Sequence, residues 1–174
     1  MDKQGLIQLY TGNGKGKTTA AFGLALRALG HGWRVTILQF MKGDAKYGEV
    51  CSMALFPNCQ IMRFGRDTFV DYNNPDPADL ELAKQGFEVL ENIFTENSCD
   101  LLILDEINVA LALKLLPEEE VVTLLTKRPP NMEVVLTGRY APQSIQQCAD
   151  LITEMQPLKH PFETGIPARE GIEF

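Results

Sequence analysis

The sequence predicts an α/β fold in which helices cover both faces of a mostly parallel β-sheet. Short apolar stretches of strand length alternate along the chain with longer stretches whose apolar residues recur at helical spacing. Residues 101–104 read LLIL, an unbroken apolar run that is typical of a strand buried on both faces. A glycine-rich stretch at residues 12–16 lies between the first strand signal and the first helix signal. This alternation is the pattern of a parallel sheet with helical crossovers.

Six stretches are predicted as strands because they are short, rich in apolar residues and bounded by turn residues. They are residues 6–10, 34–40, 59–64, 101–104, 133–137 and 151–155. Five stretches are predicted as helices from the period of their apolar positions. The first begins at residue 18 and ends in the glycine turn at 30–32, and the others cover residues 79–96, 108–116, 117–127 and 142–148.

The length of 174 residues suits one ordinary domain. No internal repeat or low-complexity linker divides the chain, so we expect a single domain over residues 1–174. Residues 157–174 are rich in proline and glycine and are predicted to form an irregular C-terminal arm. The connections 41–58 and 65–78 are predicted as long loops, which in a compact domain usually either bind something or lack order.

The composition excludes several classes of protein. Hydrophobic residues make up 45% of the chain and charged residues 22%, which is typical of a globular protein and not of a disordered one. The net charge of −7 argues against a nucleic-acid partner, because a phosphate backbone needs a basic surface. No apolar run approaches the roughly 18 residues of a membrane span, so we expect no membrane partner. The basic residues are concentrated at the start of the chain. Residues 1–50 carry seven Lys/Arg and three Asp/Glu, whereas residues 51–174 carry nine Lys/Arg and twenty Asp/Glu.

The cysteines and the first residues predict a cytoplasmic protein. The four cysteines show no CxxC spacing, and with only two histidines in the chain a zinc site is not expected. The first residues end in glycines and lysines, where a signal peptide would have a small-residue cleavage site. We therefore expect reduced thiols and a cytoplasmic location.

The strongest functional signal is GNGKGKTT at residues 12–19, between a predicted strand and a predicted helix. Glycines let successive backbone N–H groups point into one concavity, and the helix N-terminus adds partial positive charge, so this loop suits phosphate oxygens. Lys17 supplies an ammonium for phosphate, and the Thr18 hydroxyl can ligate Mg²⁺. The spacing departs from the common Walker A pattern, because three residues and not four separate Gly12 from Gly16. The alternative is a glycine-rich turn with a pair of solvated lysines.

Asp105 and Glu106 follow the apolar run 101–104, at the carboxyl end of a predicted parallel strand, where ligands bind in such sheets. One carboxylate can hold Mg²⁺ directly or through water, and the other can polarise a water or orient the metal shell. The alternative is a pair of acids that favour a helix N-terminus. Arg139 follows the next strand and can clamp a phosphate oxygen or stabilise charge on a leaving group, unless it is simply a surface arginine.

Gln39 and Lys42 end the second predicted strand and reach the same edge of the sheet, although Lys42 taken alone is only a solvated charge. Residue chemistry therefore predicts a Mg²⁺–nucleoside-triphosphate site on a P-loop α/β domain. It leaves the reaction open.

Five segments of the chain resemble the ATP:corrinoid adenosyltransferases, the P-loop type of cob(I)alamin adenosyltransferase. They are GNGKGKTTAAFG (12–23), QFMKG (39–43), LLILDE (101–106), TGR (137–139) and KHPFETGI (159–166). They occur in order over almost the whole chain, and the short glycine loop is the most specific of them. The resemblance implies that Co(I) of a reduced corrinoid attacks the ribose C5′ carbon of ATP. The adenosyl group is then transferred, and the triphosphate leaves as one unit.

The resemblance also implies roles for individual residues. Lys17, Arg139 and Glu106 are the implied catalytic residues, and Thr18, Glu106 or Asp105 are the implied Mg²⁺ ligands. The implied nucleotide-binding residues are Gly12, Asn13, Gly14, Lys15, Gly16, Lys17, Thr18, Thr19, Gln39 and Lys42. Phe69, in the connection 65–74, is the candidate contact for cobalamin or another corrinoid.

The implied partners are ATP, the corrinoid, a flavoprotein or other reductase that donates electrons, and a second copy of the chain in a homodimer. Two other functions stay open on the residues alone. One is a P-loop NTPase or kinase that acts on the γ-phosphate, and the other is a non-catalytic carrier of nucleotide or corrinoid. The three hypotheses differ in their products.

Overall fold

The computed structural model describes residues 4–43, 47–68, 70–72 and 74–173. Within these ranges six strands form one sheet in which every pairing is parallel. The strands are β1 (Ile7–Thr11), β2 (Val35–Phe40), β3 (Cys59–Phe64), β4 (Leu101–Asp105), β5 (Glu133–Thr137) and β6 (Leu151–Glu154). Their order across the sheet is β3-β2-β4-β5-β1-β6.

Helices connect the strands. They are α1 (Lys17–Gly30), α2 (Gly48–Met53), α3 (Pro77–Glu96), α4 (Ile107–Ala112), α5 (Glu118–Thr126) and α6 (Gln143–Cys148), followed by one 3₁₀ turn at Pro161–Thr164. None of the helices in the described ranges is long and apolar enough to cross a membrane.

The core lies on both faces of the sheet. Helices α1 and α2 pack on one face, where they bury Val35 and Ile37 of β2. Helices α3 to α6 pack on the other face, where they bury Leu38 and Phe40 of the same strand. Because neighbouring side chains of a strand point to opposite faces, a strand covered on both sides is mostly apolar. The two polar residues of β2, Thr36 and Gln39, are buried with it. The predicted α/β fold, a parallel sheet with helices on both faces, is confirmed.

Two local features differ from the sequence prediction. The helix predicted over 108–116 already ends at Ala112, and Lys114 takes a left-handed conformation with φ of 57°. The Leu115 N–H then bonds to the Ala110 carbonyl, which ends the helix in the manner of a Schellman motif. The apolar pattern continues past the end of the helix, so periodicity alone could not locate it. Helix α2 lies inside the connection 41–58 that was predicted as a loop, and its six residues are too few for a periodic signal.

The strand order places the functional segments at one edge of the sheet. Strand β1 lies beside β5, and β4 lies between β5 and β2. Since all these strands run in the same direction, the loop after β1 and the last residues of β2, β4 and β5 meet at the carboxyl edge. The fold therefore brings together segments that are about a hundred residues apart in the chain.

Candidate active site

The loop between β1 and α1 needs glycine at particular positions for two different reasons. Gly12 and Gly16 have φ of 94° and 113°, in the left-handed region that other residues rarely adopt. Gly14 has no such φ, but a Cβ on it would lie 2.7 Å from the Met155 carbonyl oxygen, so a side chain has no room there. The Gly14 N–H donates to that same oxygen at 2.6 Å. The segment after β6 thus supports the loop from outside and occupies one of its backbone donors.

The Lys17 side chain is folded into this loop. Its Nζ donates to the carbonyl oxygens of Gly12 at 2.8 Å and Gly14 at 2.7 Å, and the residue is only 8% exposed. Burial lowers the pKa of Lys17, while the carboxylates of Glu106 and Asp105 act in the opposite direction. The Lys17 ammonium is therefore held at the loop by hydrogen bonds to two carbonyl oxygens, which it can exchange for other acceptors. It lies close to Asp105 and Glu106, the acidic pair.

Asp105, at the end of β4, is the centre of the polar network. Its side chain is fully buried and accepts four hydrogen bonds. Oδ1 accepts from the hydroxyls of Thr18 at 2.9 Å and Thr137 at 2.7 Å. Oδ2 accepts from Gln39 Nε2 at 3.1 Å and from Lys42 Nζ at 2.7 Å.

These bonds decide the ionisation of Asp105 and what it can bind. Burial favours the neutral carboxyl, but the Lys42 charge and the hydrogen bonds outweigh it, so the pKa of Asp105 lies below its ordinary value. A carboxylate has about four lone-pair sites, and here each of the four has a donor. Asp105 therefore suits a role in which it orients the Thr18 hydroxyl, because ligation of a cation or of its water would require one of these four donors to leave.

Among the described residues, no side chain or backbone group donates a hydrogen bond to the Glu106 carboxylate, in contrast to Asp105. Glu106 has a left-handed φ of 61° and precedes α4. Burial raises the pKa of Glu106, and the neighbouring Asp105 charge raises it further. A Cβ at position 138 would lie 3.3 Å from Glu106 Oε2, and Gly138 has φ of 127°, so the Glu106 carboxylate lies against a turn that needs glycine.

The oxygen atoms of Thr18 and Glu106 suit a hard cation that keeps most of its water ligands. The described part of the chain contains no group of three or more His, Cys, Asp or Glu that could hold a metal by themselves. The Thr18 hydroxyl donates its hydrogen bond to Asp105, which leaves the lone pairs of the hydroxyl oxygen for a cation. Glu106 is the nearby carboxylate. One or two protein oxygens completed by water and substrate phosphates are the usual environment of Mg²⁺.

The remaining predicted residues are Arg139, Asn13, Thr19, Phe69 and Lys15. Arg139 is exposed and follows Gly138, and its charge acts to lower the pKa of both Lys17 and Glu106. Asn13 and Thr19 are exposed on the phosphate loop and its helix. Phe69 lies outside the described residues.

Lys15 points to the C-terminal arm. Its Nζ contacts Glu173 Oε1 at 2.7 Å and the Ile172 carbonyl oxygen at 3.1 Å. Arg169 also binds the Glu173 carboxylate, through its backbone N–H and its guanidinium. The end of the chain therefore lies against the phosphate loop.

A sequence model of the family described as ATP:corrinoid adenosyltransferase BtuR/CobO/CobP matches residues 3–174 of this chain. The chain belongs to this family. Three relatives support the assignment over its whole length. The corrinoid adenosyltransferase of Escherichia coli K12 is 38% identical and is matched over 99% of this chain and 87% of its own. The corrinoid adenosyltransferase of Pseudomonas aeruginosa is 36% identical and is matched over 99% of this chain and 85% of its own. The corrinoid adenosyltransferase CobA of Salmonella typhimurium is 37% identical and is matched over 99% of this chain and 87% of its own.

One solved structure supports the fold independently. The crystal structure of the flagellar accessory protein FlaH from Methanocaldococcus jannaschii superposes with a TM-score of 0.60. The match covers 87% of this chain and 71% of FlaH, at 13% sequence identity. At that identity the likeness concerns the fold alone.

The predicted family is thereby confirmed, whereas the roles of individual residues stay predictions. The structure brings Lys17, Thr18, Gln39, Lys42 and the acidic pair together, as the adenosyltransferase motifs imply. Sequence reasoning missed the hydroxyl of Thr137, which bonds to Asp105. The available signal was its position as the last polar residue of a strand next to β4.

Proposed function

We propose that this protein transfers the 5′-deoxyadenosyl group of ATP to the Co(I) of a reduced corrinoid, with tripolyphosphate as the second product. One observation carries the proposal. The chain belongs to the ATP:corrinoid adenosyltransferase family over residues 3–174, and its phosphate loop, acidic pair and Arg139 meet at one edge of the sheet. Adenosylcobalamin synthesis or salvage in the cytoplasm is the setting that this activity implies.

In the proposed reaction the electron pair of Co(I) attacks C5′ of the ribose. A Co–C bond forms, the C5′–O bond breaks, and that bond's electrons go to the departing triphosphate. Charge therefore gathers on the phosphate chain in the transition state. Groups that bind this chain more strongly as its charge grows lower the barrier, whereas equal binding of substrate and transition state would not.

The phosphate loop supplies these groups. Free backbone N–H groups of residues 12–19 and the N-terminus of α1 attract phosphate oxygens. Lys17 exchanges its bonds with the Gly12 and Gly14 carbonyls for bonds to phosphate, and Arg139 reaches the same chain from β5. Because a guanidinium offers several donors in one plane, it suits a phosphate group.

The metal-binding residues of the proposal are Thr18 and Glu106. Thr18 offers its lone pairs because its hydroxyl donates its hydrogen bond to Asp105, which orients the hydroxyl. Bound Mg²⁺ would neutralise charge on the triphosphate. Gln39 and Lys42 hold the other oxygen of Asp105 and lie beside the nucleotide.

The corrinoid side of the proposal is an expectation from the family. The connection 65–74 with Phe69 is the candidate corrinoid contact, a flavoprotein or other reductase is the electron donor, and the active form is a homodimer. Phe69→Ala is expected to affect mainly the reaction that starts from Co(II). If that reaction were unchanged, the corrinoid would bind elsewhere.

The product mixture tests the proposal. The protein is incubated with ATP, Mg²⁺ and chemically reduced cobalamin, the phosphate products are identified by phosphorus NMR, and the cobalamin is followed by visible spectroscopy. Tripolyphosphate together with adenosylcobalamin is the expected result. ADP with inorganic phosphate would instead indicate an NTPase or kinase, and tight binding without turnover would indicate a carrier.

Lys17→Ala provides the matched negative variant. It removes the loop ammonium and is expected to abolish transfer, because the charge on the leaving triphosphate loses one of the cations that stabilise it. Lys84→Ala removes an exposed lysine of α3 and is the control. Lys84→Ala is expected to transfer at the wild-type rate. If Lys17→Ala did so too, the assigned role of the loop would be wrong.

A further inference from the structure

Thr137 occupies a distinctive position at the end of β5. It is fully buried, and its hydroxyl has two partners, the Glu106 backbone N–H at 3.0 Å and Asp105 Oδ1 at 2.7 Å. A backbone N–H can only donate, so the hydroxyl must accept there. Its single proton is then left for the carboxylate. The direction of both bonds is fixed by this chemistry.

The bond to Glu106 satisfies a backbone group that would otherwise lack a partner. Glu106 precedes α4, has left-handed backbone angles, and its own side chain does not cap the helix. The free N–H groups at the start of a helix need partners when they are buried. Thr137 supplies one from the neighbouring strand and thereby holds the backbone that carries the Glu106 carboxylate.

Thr137 differs from the other three donors to Asp105. Thr18, Gln39 and Lys42 are residues that the proposed function places against the nucleotide or its cation. Thr137 contacts neither in the proposal, yet it is bonded to both members of the acidic pair.

We infer that Thr137 is a positioning residue, whose hydroxyl sets the relative orientation of the Asp105 carboxylate and the Glu106 backbone and so shapes the Mg²⁺–nucleotide site. This inference rests on the proposed function for the identity of the cation and nucleotide. It assigns Thr137 no contact with the substrate. Loss of such an outer hydrogen bond around a metal site typically lowers metal affinity or activity roughly 10- to 100-fold.

The test compares three variants of the full chain. Thr137→Val has nearly the shape of threonine but lacks the hydroxyl, and Thr137→Ser keeps the hydroxyl. Thr36→Val is the matched control, because Thr36 is also a buried threonine of the sheet and lies at the start of β2, away from the acidic pair. If Thr137→Val does not fold, Thr137→Ala removes the hydroxyl without placing a new methyl group beside Asp105.

The primary readout is binding and not turnover. Mn²⁺ is titrated into each protein in the presence of ATP, and free Mn²⁺ is measured by electron paramagnetic resonance. We expect Thr137→Val to bind Mn²⁺ with ATP roughly 10- to 100-fold more weakly. Thr137→Ser and Thr36→Val are expected to stay close to the wild type. In the transfer assay, the Mg²⁺ concentration for half-maximal rate should rise for Thr137→Val, with the KM for corrinoid unchanged.

Three results would overturn the inference. They are wild-type Mn²⁺ binding by Thr137→Val, equal losses in Thr137→Val and Thr36→Val, and equal losses in Thr137→Ser and Thr137→Val. A purely structural threonine would lower the melting temperature without moving the Mn²⁺ titration. If the wild type bound Mn²⁺ and ATP but did not transfer the adenosyl group, the proposed function would fail, and the binding comparison would still decide the role of Thr137.

Discussion

Replacing Lys42 with methionine removes the cation that faces the buried carboxylate of Asp105. Lys42 Nζ lies 2.7 Å from Asp105 Oδ2, and the two side chains are 20% and 0% exposed. Methionine keeps an apolar side chain of similar length, so the packing around the lysine stem changes little. Asp105 is left with the uncharged donors Thr18, Thr137 and Gln39.

The expected loss follows from this burial. Removing one partner of a buried ion pair costs about 3–5 kcal/mol, because the other charge stays buried without its cation. Three hydrogen bonds to Asp105 remain, so we expect the lower end of that range, about 3 kcal/mol of unfolding free energy. For a chain of this length one kcal/mol corresponds to about 2–4 °C, so the melting temperature should fall by roughly 6–12 °C.

Differential scanning calorimetry of the nucleotide-free chain at neutral pH measures this change. Lys84→Met is the control, because Lys84 lies on the exposed side of α3 and its ion pair with Glu88 spans 3.9 Å. An exposed pair of this kind contributes about 0.3–0.5 kcal/mol, so the melting temperature of the control should change by less than about 2 °C. Equal small shifts in both variants would refute the reasoning, since they would mean that Asp105 does not need a cation in the folded chain.

Three further predictions concern charge and ionisation. The Arg66 guanidinium, which bonds to the buried carboxylate of Asp79, holds the pKa of Asp79 below its ordinary value, so its contribution to stability is present above about pH 3.9 and is lost as the pH falls through the lower folded pKa. Asp79→Asn should therefore melt below the wild type at pH 7, with a difference that shrinks in acid. Burial raises the pKa of Cys99 to about 11, so iodoacetamide at pH 8 should label it only after unfolding, as mass spectrometry of peptides will show. Glu173→Gln removes the carboxylate that holds Lys15, so the Lys15 ammonium no longer has to leave an ion pair in order to bind phosphate. Calorimetric titration should therefore give about two- to fivefold tighter ATP binding, which corresponds to the contribution of one exposed ion pair.

Each of these predictions has a result that contradicts it. A melting difference for Asp79→Asn that does not change between pH 7 and pH 3 would mean that the Arg66 contact does not control ionisation. Labelling of Cys99 in the folded chain at pH 8 would contradict its burial. Weaker ATP binding by Glu173→Gln would mean that the C-terminal arm supports the nucleotide and does not compete with it.

Much of the fold could be predicted from local patterns. The strands β2 and β4 are mostly apolar because both of their faces are covered, and α3 carries apolar residues at helical spacing over 20 residues. Helix α2 could not be predicted, because its six residues bury only Met53 and so leave no periodic pattern. The end of α4 could not be predicted either, because Lys114 leaves the helix while the apolar residues continue.

The candidate site also has features that local sequence patterns predict and features that depend on the fold. The sequence by itself determined that there is a phosphate loop, an acidic pair after an apolar strand, and polar residues at two other strand ends, because each of these motifs is local. Only the tertiary structure decided how they interact. The parallel order β2-β4-β5-β1 places Thr18, Gln39, Lys42 and Thr137 around one carboxylate, that of Asp105. No local pattern states that four donors from four segments occupy all of its lone pairs, because hydrogen-bond saturation is a property of side chains that meet only after the sheet has formed.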